Sequence, residues 1–371
     1  MKNIPVSEPD LSGNEERYVL EAVRSTWISS TGPFVKRFEA EFAAAAGTRT
    51  AISVSNGTLA LHLALLTLDL RPGDEVIVPS LTYVATANAV RYCGAEPVFV
   101  DVDPGTWCVD PALIERALTP RTRGIVPVHL YGHPADMDEV NRVAEEHGLW
   151  VVEDAAEAHL ARYRSRPVGG LGRIGVFSFY GNKVLTSGEG GAVTLDDPEL
   201  ERKARMLRGQ GMDPERRYFF PVIGYNYRLT NVACAILCAQ LERTQTIIAR
   251  RREIFRRYRS LLEGIPGIAF QPVAPWAEAS PWLFCATVDP RAYGRSRDEL
   301  MKWLADRSIE TRPFFIPIHS LPPYAEASRR RGDVLPVTDA LGAMGLNLPT
   351  FTGMADEAVD RVAAAVRAGQ L

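Results

Sequence analysis

The stretch SFYGNKVLTSGEGGAV, residues 178–193, places one lysine between a buried strand and a glycine-rich loop. The apolar run before it, GVFSFY, predicts a strand that ends just ahead of Lys183. In α/β enzymes, ligands bind at the carboxyl ends of the strands. A solvated lysine in a glycine turn is the alternative interpretation, and the rest of the chain has to decide between the two.

Apolar runs alternate with helical patterns from about residue 50 to residue 200. Helical patterns cover residues 57–68 and 135–148, and a charged helix at 198–207 closes the block. This alternation predicts a mostly parallel sheet with helices on both faces. The runs that predict strands are residues 50–55, 75–80, 96–103, 124–132, 149–157, 176–181 and 191–196.

A long aromatic and glycine-rich segment, GQGMDPERRYFFPVIGYNY at residues 209–227, interrupts this alternation. Loops of that length are commonly functional or reach a partner subunit. Residues 231–263 then predict one or two long helices, and short strands and helices follow from about residue 265. For a chain of 371 residues we therefore expect two domains, a large one over 1–250 and a small one over 251–371.

The composition is that of an ordinary globular protein, with 46% hydrophobic residues, 23% charged residues and a formal net charge of −3. Short basic runs at 250–252 and 329–331 lie in stretches that predict solvated helices, so we expect neither a nucleic-acid partner nor a membrane partner. No run approaches the ~20 apolar residues that span a bilayer, and no secretory signal is recognisable. The five scattered cysteines lack zinc spacing, so we expect no metal site and a reducing cytoplasm.

Two further strand ends carry polar residues that suit one ligand. In SNGTLAL (55–61), the N–H groups of a helix start and the Thr58 hydroxyl can bind a phosphate, or the segment is a plain helix cap. In VVEDAAE (151–157), Asp154 either caps a helix or meets a cation such as a protonated pyridine nitrogen. Together with the Lys183 amine, these groups describe a site for pyridoxal phosphate. Tyr83, after the strand at 75–80, is the candidate for stacking on its ring.

The chain resembles the DegT/StrS-type sugar aminotransferases, which have the fold-type I architecture of the aspartate aminotransferase superfamily. This resemblance implies an α/β fold, with a mostly parallel sheet in the large domain and a smaller α/β C-terminal domain. It runs nearly end to end and rests on STWISSTG (25–32), SNGTLALHLAL (55–65), VPSLTYVATANAV (78–90), VHLYG (128–132), VEDAAEA (152–158), SFYGNKVLTSGEGG (178–191), MLRGQGMDP (206–214), GYNYRLTN (224–231) and GLNLPT (345–350).

The resemblance also assigns residues to roles. Lys183 corresponds to the Schiff-base lysine that shuttles the proton, Asp154 to the partner of the pyridine nitrogen, and Glu157 to the residue near the cofactor's phenolic oxygen. A homodimer with shared sites is implied as well. The remaining cofactor residues it implies are Gly57, Thr58 and Ser178 in the phosphate cup, Tyr83 on the ring, and Asn226 reaching the phosphate from the neighbouring subunit; the implied substrate contacts are Trp27, Ser29, Tyr218, Arg228 and His319.

Some members of this family carry histidine in place of the lysine and remove a sugar hydroxyl, so Lys183 implies transamination, with L-glutamate as the usual donor. Within the family, the resemblance is greatest to perosamine-type members, which aminate C4 of GDP-4-keto-6-deoxymannose. His159 and Ile316 depart from the usual pattern. A 3-keto sugar, a dTDP-linked sugar or a cyclitol ketone such as an inosose is therefore the alternative acceptor, and a regulatory protein without turnover is the alternative class.

His159 itself has two interpretations: it lines the sugar pocket, or it packs on the helix after Asp154. No arginine stands out in the sequence as the clamp for the donor's carboxylate.

Overall fold

The structure, a computed structural model, describes residues 3–371. Most of its strands are short and most are buried. In chain order they are β1 (Thr50–Val54), β2 (Glu75–Pro79), β3 (Glu96–Val100), β4 (Thr122–Ile125), β5 (Trp150–Asp154), β6 (Arg162–Tyr163), β7 (Arg166–Pro167), β8 (Ile174–Ser178), β9 (Gly191–Leu195), β10 (Ile268–Phe270), β11 (Ala277–Glu278), β12 (Phe284–Val288), β13 (Arg312–Pro313) and β14 (Gly345–Leu348).

Helices separate most of these strands. Within residues 3–371, none combines the length and the apolar character that crossing a bilayer requires. In chain order they are α1 (Glu15–Arg24), α2 (Pro33–Ala46), α3 (Gly57–Thr67), α4 (Ala85–Tyr92), α5 (Pro111–Ala117), α6 (Met137–Glu146), α7 (Pro198–Arg208), α8 (Asn231–Glu242), α9 (Thr244–Leu262), α10 (Pro290–Tyr293), α11 (Arg297–Ala305), α12 (Pro322–Arg331), α13 (Pro336–Met344) and α14 (Asp356–Ala368), with short 3-10 turns at Leu130–Gly132 and Ile318–Ser320.

The large sheet has the strand order β1-β9-β8-β5-β4-β2-β3. From β8 to β3 the neighbouring strands are parallel, whereas β9 is antiparallel to both β8 and β1. These pairings confirm the expected α/β fold with a mostly parallel sheet. Because β9 alone is reversed, β1 ends at the same edge as the parallel strands. Six strand ends therefore meet along one edge of this sheet.

Each face of the large sheet carries its own apolar core. Phe38 of α2 and Leu237 of α8 belong to the core on one face, and Leu63 of α3 and Val90 of α4 belong to the core on the other. All of these side chains are almost fully buried. The covered faces explain why the strands read as near-continuous apolar runs rather than alternating patterns.

A second sheet, β10-β12-β14-β13, is antiparallel throughout and packs against α9, α11 and α14. The N-terminal segment joins this unit, since the Ile4 N–H donates to the Ser308 carbonyl at 2.9 Å and the Glu310 N–H donates to the Ile4 carbonyl at 2.9 Å. Helix α9 runs without a break through residue 250. The division into domains over 1–250 and 251–371 stays a prediction.

The predicted strand at 124–132 is wrong over most of its length, because β4 ends at Ile125. The backbone turns at Tyr131 and Gly132, whose φ angles of 52° and 93° lie in the left-handed region. The N–H of Tyr131 consequently leaves the sheet and donates to Glu157 at 2.8 Å. An apolar run alone does not reveal this exit, because the residues stay buried on both sides of it.

Candidate active site

A cavity of about 420 Å³ opens at the edge of the large sheet where the strand ends meet. Seven of the eight residues predicted to contact the cofactor line it, and they come from four different strand ends. The seven are Gly57, Thr58, Tyr83, Asp154, Glu157, Ser178 and Lys183. The sheet topology brings these separated positions together.

The start of α3 forms one end of the cavity. Asn56 caps this helix, since its side chain accepts a hydrogen bond from the Leu59 N–H at 3.0 Å. The cap leaves the N–H groups of Gly57 and Thr58 without partners within the helix, and such groups bind anions. A Cβ on Gly57 would lie 2.7 Å from the Cβ of Ser178, so only glycine fits against the end of β8. The segment is thus both a helix cap and a polar cup.

Asp154 lies at the end of β5 and is 4% exposed. One carboxylate oxygen accepts from the Thr86 hydroxyl at 2.7 Å, and the other accepts from the Ala156 N–H at 3.2 Å. Burial nevertheless raises the pKa of Asp154, because these bonds and the nearby Lys183 only partly offset the lost hydration. A cation in the cavity would restore the ionised form.

Glu157 and Lys183 face each other across the same space. Burial raises the pKa of Glu157 to about 7, although Lys183 and the Tyr131 N–H act in the opposite direction. Burial also lowers the pKa of Lys183, against the attraction of the two carboxyl groups. The Lys183 Nζ lies 3.9 Å from the centroid of the Trp282 ring. The amine therefore loses its proton more readily than a solvated lysine does, in a pocket that also holds two buried carboxyl groups.

This donor set fits pyridoxal phosphate. The phosphate would lie against the start of α3 and Ser178, the ring nitrogen against Asp154, and the reactive carbon beside Lys183. Asn182, which precedes the lysine and lines the cavity, has a buried side-chain oxygen that finds no hydrogen-bond partner among residues 3–371. Buried polar atoms are rarely left unpaired, so this oxygen indicates that a further group belongs in the cavity.

Comparison with known proteins identifies the family, because the model of the DegT/DnrJ/EryC1/StrS aminotransferase family matches residues 9–367. The chain belongs to this family. It is 48% identical over 367 residues to a GDP-perosamine synthase of Caulobacter vibrioides, covering 99% of this chain and 98% of that protein. It is 44% identical over 359 residues to a GDP-perosamine synthase of Escherichia coli O157:H7, covering 97% and 96%.

A solved structure gives the same result. DesV of S. venezuelae, in complex with a ketimine intermediate, matches with a TM-score of 0.92 at 39% sequence identity, covering 99% of this chain and 98% of that chain. The protein is thus an aminotransferase that depends on pyridoxal phosphate, with the fold-type I architecture expected from the sequence.

Asn226, the eighth residue predicted to contact the cofactor of the aminotransferase, lies outside the cavity of its own chain. It is exposed in an extended segment, where it forms a backbone bridge with Gly209, while Arg228 forms one with Val54. Tyr218, earlier in the same loop, is 71% exposed. None of these three residues lines the cavity within one chain, so their roles stay predictions.

Trp27 and Ser29 form an exposed turn that is tied to the start of α8. The Asn231 side chain donates to the Trp27 carbonyl at 2.7 Å, and its backbone N–H donates to the Ser29 carbonyl at 2.6 Å. The backbone of this turn is thus fixed while the Trp27 ring stays 52% exposed. Neither residue lines the cavity of its own chain, and their substrate contacts stay predictions.

Two histidines of the aminotransferase lie near the cavity without lining it. His319 forms a hydrogen bond with the Ser80 hydroxyl at 2.8 Å, and its other ring nitrogen lies 3.3 Å from Asp339, so its substrate contact stays a prediction. His159 is 1% exposed and packs against Phe177 and Phe179, with ring centroids 5.8 Å and 5.3 Å away. The residue packs inside the protein and does not line the cavity, but the predicted helix after Asp154 is wrong, because residues 155–160 form turns and the ring packs at the end of β8 instead.

Several cavity residues were missed in the sequence. Arg312, on β13, and Trp282, just before β12, come from the C-terminal part of the chain and lie over the strand edge. Tyr131 and Phe315 stack with ring centroids 5.6 Å apart and planes 10° apart. No spacing rule links these positions to Lys183. Asn182 alone had a usable signal, because it is adjacent to the lysine.

Proposed function

We propose that this aminotransferase transfers the amino group of L-glutamate to C4 of GDP-4-keto-6-deoxymannose. The reaction type rests on the Lys183 amine, whose pKa burial lowers, beside two buried carboxyl groups in the cavity. The choice of acceptor is supported by 48% and 44% identity over nearly the whole chain to two GDP-perosamine synthases. Lysine rather than histidine at position 183 favours transamination over hydroxyl removal.

Lys183, Asp154 and Glu157 have different roles in this proposed reaction. Pyridoxal phosphate, when bound, supplies a ring that stabilises negative charge at the carbon that loses a proton. The Lys183 Nζ accepts that proton from the donor's α-carbon and later delivers one to the former ketone carbon, a role that the lowered pKa of its amine favours. Asp154 keeps the ring nitrogen protonated, and Glu157 holds a proton near the phenolic oxygen, as its pKa of about 7 permits.

Arg312 is the residue we assign to the donor. Its guanidinium lines the cavity near Lys183, and it makes no ion pair with a carboxylate among residues 3–371. Guanidinium groups bind carboxylates with two parallel hydrogen bonds, which lysine cannot reproduce. Arg312→Lys should raise the KM for L-glutamate more than it lowers kcat, while the KM for the sugar stays near the wild-type value.

The active unit we propose is a homodimer with shared sites. The loop at 209–227 exposes Tyr218 at 71% and Ile223 at 89%, and Trp27 is 52% exposed. Large apolar and aromatic side chains left exposed along one loop are typical of an interface. Burying this loop against a second copy would carry Asn226 and Arg228 towards the cavity of that copy, where a phosphate and a sugar nucleotide would meet them.

Mixing two inactive variants tests the shared site. Asn226→Asp places a negative charge where the phosphate is expected, and Lys183→Ala removes the amine. If Asn226 acts across the interface, a re-associated equal mixture forms hybrids with one intact site and recovers about a quarter of the wild-type activity. A site built from one chain alone gives no recovery, which would refute the shared-site proposal while leaving the reaction in place.

The substrate is tested by an amino-transfer assay. The purified protein with pyridoxal phosphate and L-glutamate is offered GDP-4-keto-6-deoxymannose and dTDP-4-keto-6-deoxyglucose side by side, and the products are identified by mass and NMR. A C4-aminated GDP sugar is expected. Bleaching of the cofactor absorbance by glutamate without amination of the GDP sugar would overturn the acceptor and keep the reaction type. An inosose in a third reaction tests the cyclitol alternative.

We further infer that the protein works in the cytoplasm. All five cysteines are free and buried, which suits a compartment where thiols stay reduced. Nucleotide sugars with reactive ketones are also formed and used where nucleotides are plentiful. Fractionation of the native host, with detection by antibody, would place the enzyme in the soluble fraction; recovery with membranes or secreted protein would contradict this inference.

A further inference from the structure

A second cavity, of about 280 Å³, lies between α9 and the sheet that contains β12. Tyr131 and Leu283 line both this cavity and the active-site cavity. The proposed reaction assigns no role to the other residues that line this second cavity. Its volume lies just below the usual range for ligand pockets, so a small molecule rather than a polymer is the suitable occupant.

Three arginines of α9 line this second cavity: Arg252, Arg256 and Arg259. Their spacing of four and three residues puts them on one face of the helix. None forms an ion pair with a carboxylate in the part of the chain that the structure describes; their polar contacts are to backbone oxygens, from Arg256 to the Arg252 carbonyl at 3.4 Å and from Arg259 to the Gln271 carbonyl at 3.3 Å. Three uncompensated positive charges therefore collect at one cavity.

The neighbouring arginines of the same helix are satisfied, which makes these three distinctive. Arg250 pairs with Asp356 at 2.8 Å and Arg257 pairs with Asp360 at 2.6 Å. Arg251 is 2% exposed and donates to the Trp282 carbonyl at 2.9 Å, so the expectation that the run 250–252 is simply solvated is wrong for this residue. Like charges placed side by side repel, and a bound anion would remove that cost.

Aromatic rings form part of the remaining cavity wall, which also contains one buried hydroxyl without a partner among the described residues. The rings of Phe255 and Phe270 each lie 5.3 Å from that of Phe284, and Arg259 lies over Phe270 at 5.3 Å. Ser280 is 2% exposed, lines the cavity, and its side-chain oxygen makes no hydrogen bond within residues 3–371. A buried hydroxyl is seldom left unpaired, so it independently indicates a polar group of a ligand.

We propose that this cavity binds a small phosphorylated aromatic compound. The ring packs on the phenylalanine floor, the phosphate lies among the guanidinium groups of Arg252, Arg256 and Arg259, and the Ser280 hydroxyl bonds to a polar substituent. Charge-assisted bonds from arginine to phosphate supply affinity, and the aromatic floor selects for the ring. The site is separate from the proposed reaction, and its failure would not affect that proposal.

Calorimetric titration of the enzyme loaded with pyridoxal phosphate tests the site, with phenyl phosphate as the probe. Loading fills the phosphate cup of the active site in advance. Wild-type enzyme should bind phenyl phosphate, and Arg252→Ala/Arg256→Ala should bind it at least about tenfold more weakly, because two charge-assisted contacts are lost. Arg329→Ala, which removes an exposed arginine of α12, is the matched control and should bind like wild type.

Three results would overturn the proposal. Phenyl phosphate that does not bind would remove the site, and binding that is unchanged in the double variant would place the probe elsewhere. Inorganic phosphate that binds as tightly as phenyl phosphate would show that the aromatic floor contributes nothing. Because the arginines are exposed, the double variant should fold normally, and amino transfer at the wild-type rate serves as the check.

Discussion

The two sides of β5 hold adjacent buried carboxyl groups with opposite characters. Glu153 is fully buried and Asp154 is 4% exposed, and successive strand residues point to opposite faces. Asp154 accepts two hydrogen bonds and faces the active-site cavity. Glu153 accepts four, from the ring of His129 at 3.0 Å and from the N–H groups of Gly169, Leu171 and Gly172 at 2.8, 2.6 and 2.7 Å.

This difference shows that burial alone does not mark a functional acid. Each oxygen of Glu153 accepts two hydrogen bonds, whereas each oxygen of Asp154 accepts one. His129 is locked as a donor to Glu153 because its other ring nitrogen accepts from the Ala135 N–H at 3.0 Å. Asp154 retains free acceptor capacity beside open space. A buried acid that is fully satisfied stabilises the fold, whereas one with unused capacity next to a cavity is available to a ligand.

The largest effect on activity is expected at Lys183, whose amine lies in the same cavity as Asp154. Lys183→Ala removes both the covalent link to the cofactor and the proton carrier, so amino transfer should fall at least about a thousandfold. The visible absorbance of the lysine-bound cofactor should disappear, as recorded by spectrophotometry. Circular dichroism serves as the folding control, and a lysine-linked band that persists in the variant would refute the assignment.

Asp154→Asn tests the role of the Asp154 carboxyl group in turnover without changing side-chain size. The amide cannot hold the ring nitrogen's proton by charge, so turnover should fall by about a hundredfold. The free energy of unfolding should change little or rise, because a buried carboxyl with a raised pKa is removed. Steady-state kinetics and urea unfolding measure the two quantities, and a variant that loses stability but keeps its turnover would reverse the comparison.

Glu153→Gln is the matching change at the neighbouring acid, whose hydrogen bonds stabilise the fold. Whichever way the amide is turned, its NH₂ faces two of the groups that donate to Glu153, so two donors lose their acceptor. The free energy of unfolding should fall by about 2–4 kcal/mol, while turnover per folded enzyme stays near wild type. Urea unfolding and kinetics at low temperature check this, and a large loss of turnover with unchanged stability would count against the distinction.

The smallest effect is on stability and concerns His159, which is buried against Phe177 and Phe179 and does not line the cavity. Burial lowers its pKa to about 3, so below pH 6.5 the unfolded chain binds a proton that the folded chain refuses. Stability from this residue therefore falls as pH drops from 6.5 towards 3. His159→Phe removes the penalty, so its advantage in unfolding free energy over wild type should grow by about 1 kcal/mol between pH 7.5 and pH 5.5.

The comparison with wild type matters in that experiment. Glu157 has a raised pKa of about 7, so its contribution to stability increases as the pH falls from 7 to 4.5, in the direction opposite to His159. Only the difference between the two proteins isolates the histidine. An advantage of His159→Phe that does not depend on pH would mean that His159 is not held neutral by burial.

Strand positions were predictable because they follow from local pattern. The runs at 50–55, 75–80 and 191–196 became β1, β2 and β9 within one residue, since each is short, apolar and bounded by turn residues. The run at 124–132 was overextended, because the left-handed turn at Tyr131 depends on a hydrogen bond to Glu157, which lies 26 residues away. Contacts of that range leave no local signal.

The candidate site was predictable to the same extent. The residues that line the cavity as predicted each end a strand, follow one or begin a helix, and the sheet places all of those strand ends at one edge. Arg312 and Trp282 could not be found in this way, because the C-terminal part of the chain folds back over the edge. The predicted substrate residues lie outside the cavity of a single chain, where no local rule ties them to Lys183.

The amino-acid sequence by itself determined the α/β alternation and the polar residues at the strand ends, and it predicted the roles of a lysine, a carboxylate and a phosphate cup. These features depend on local periodicity and on the chemistry of single side chains. The tertiary structure alone decided which buried acid is satisfied, where Arg312 and Trp282 lie, and which arginines of α9 have no ion pair within residues 3–371. Those properties depend on hydrogen bonds and charges between residues far apart in the chain, which only the packed fold brings within reach.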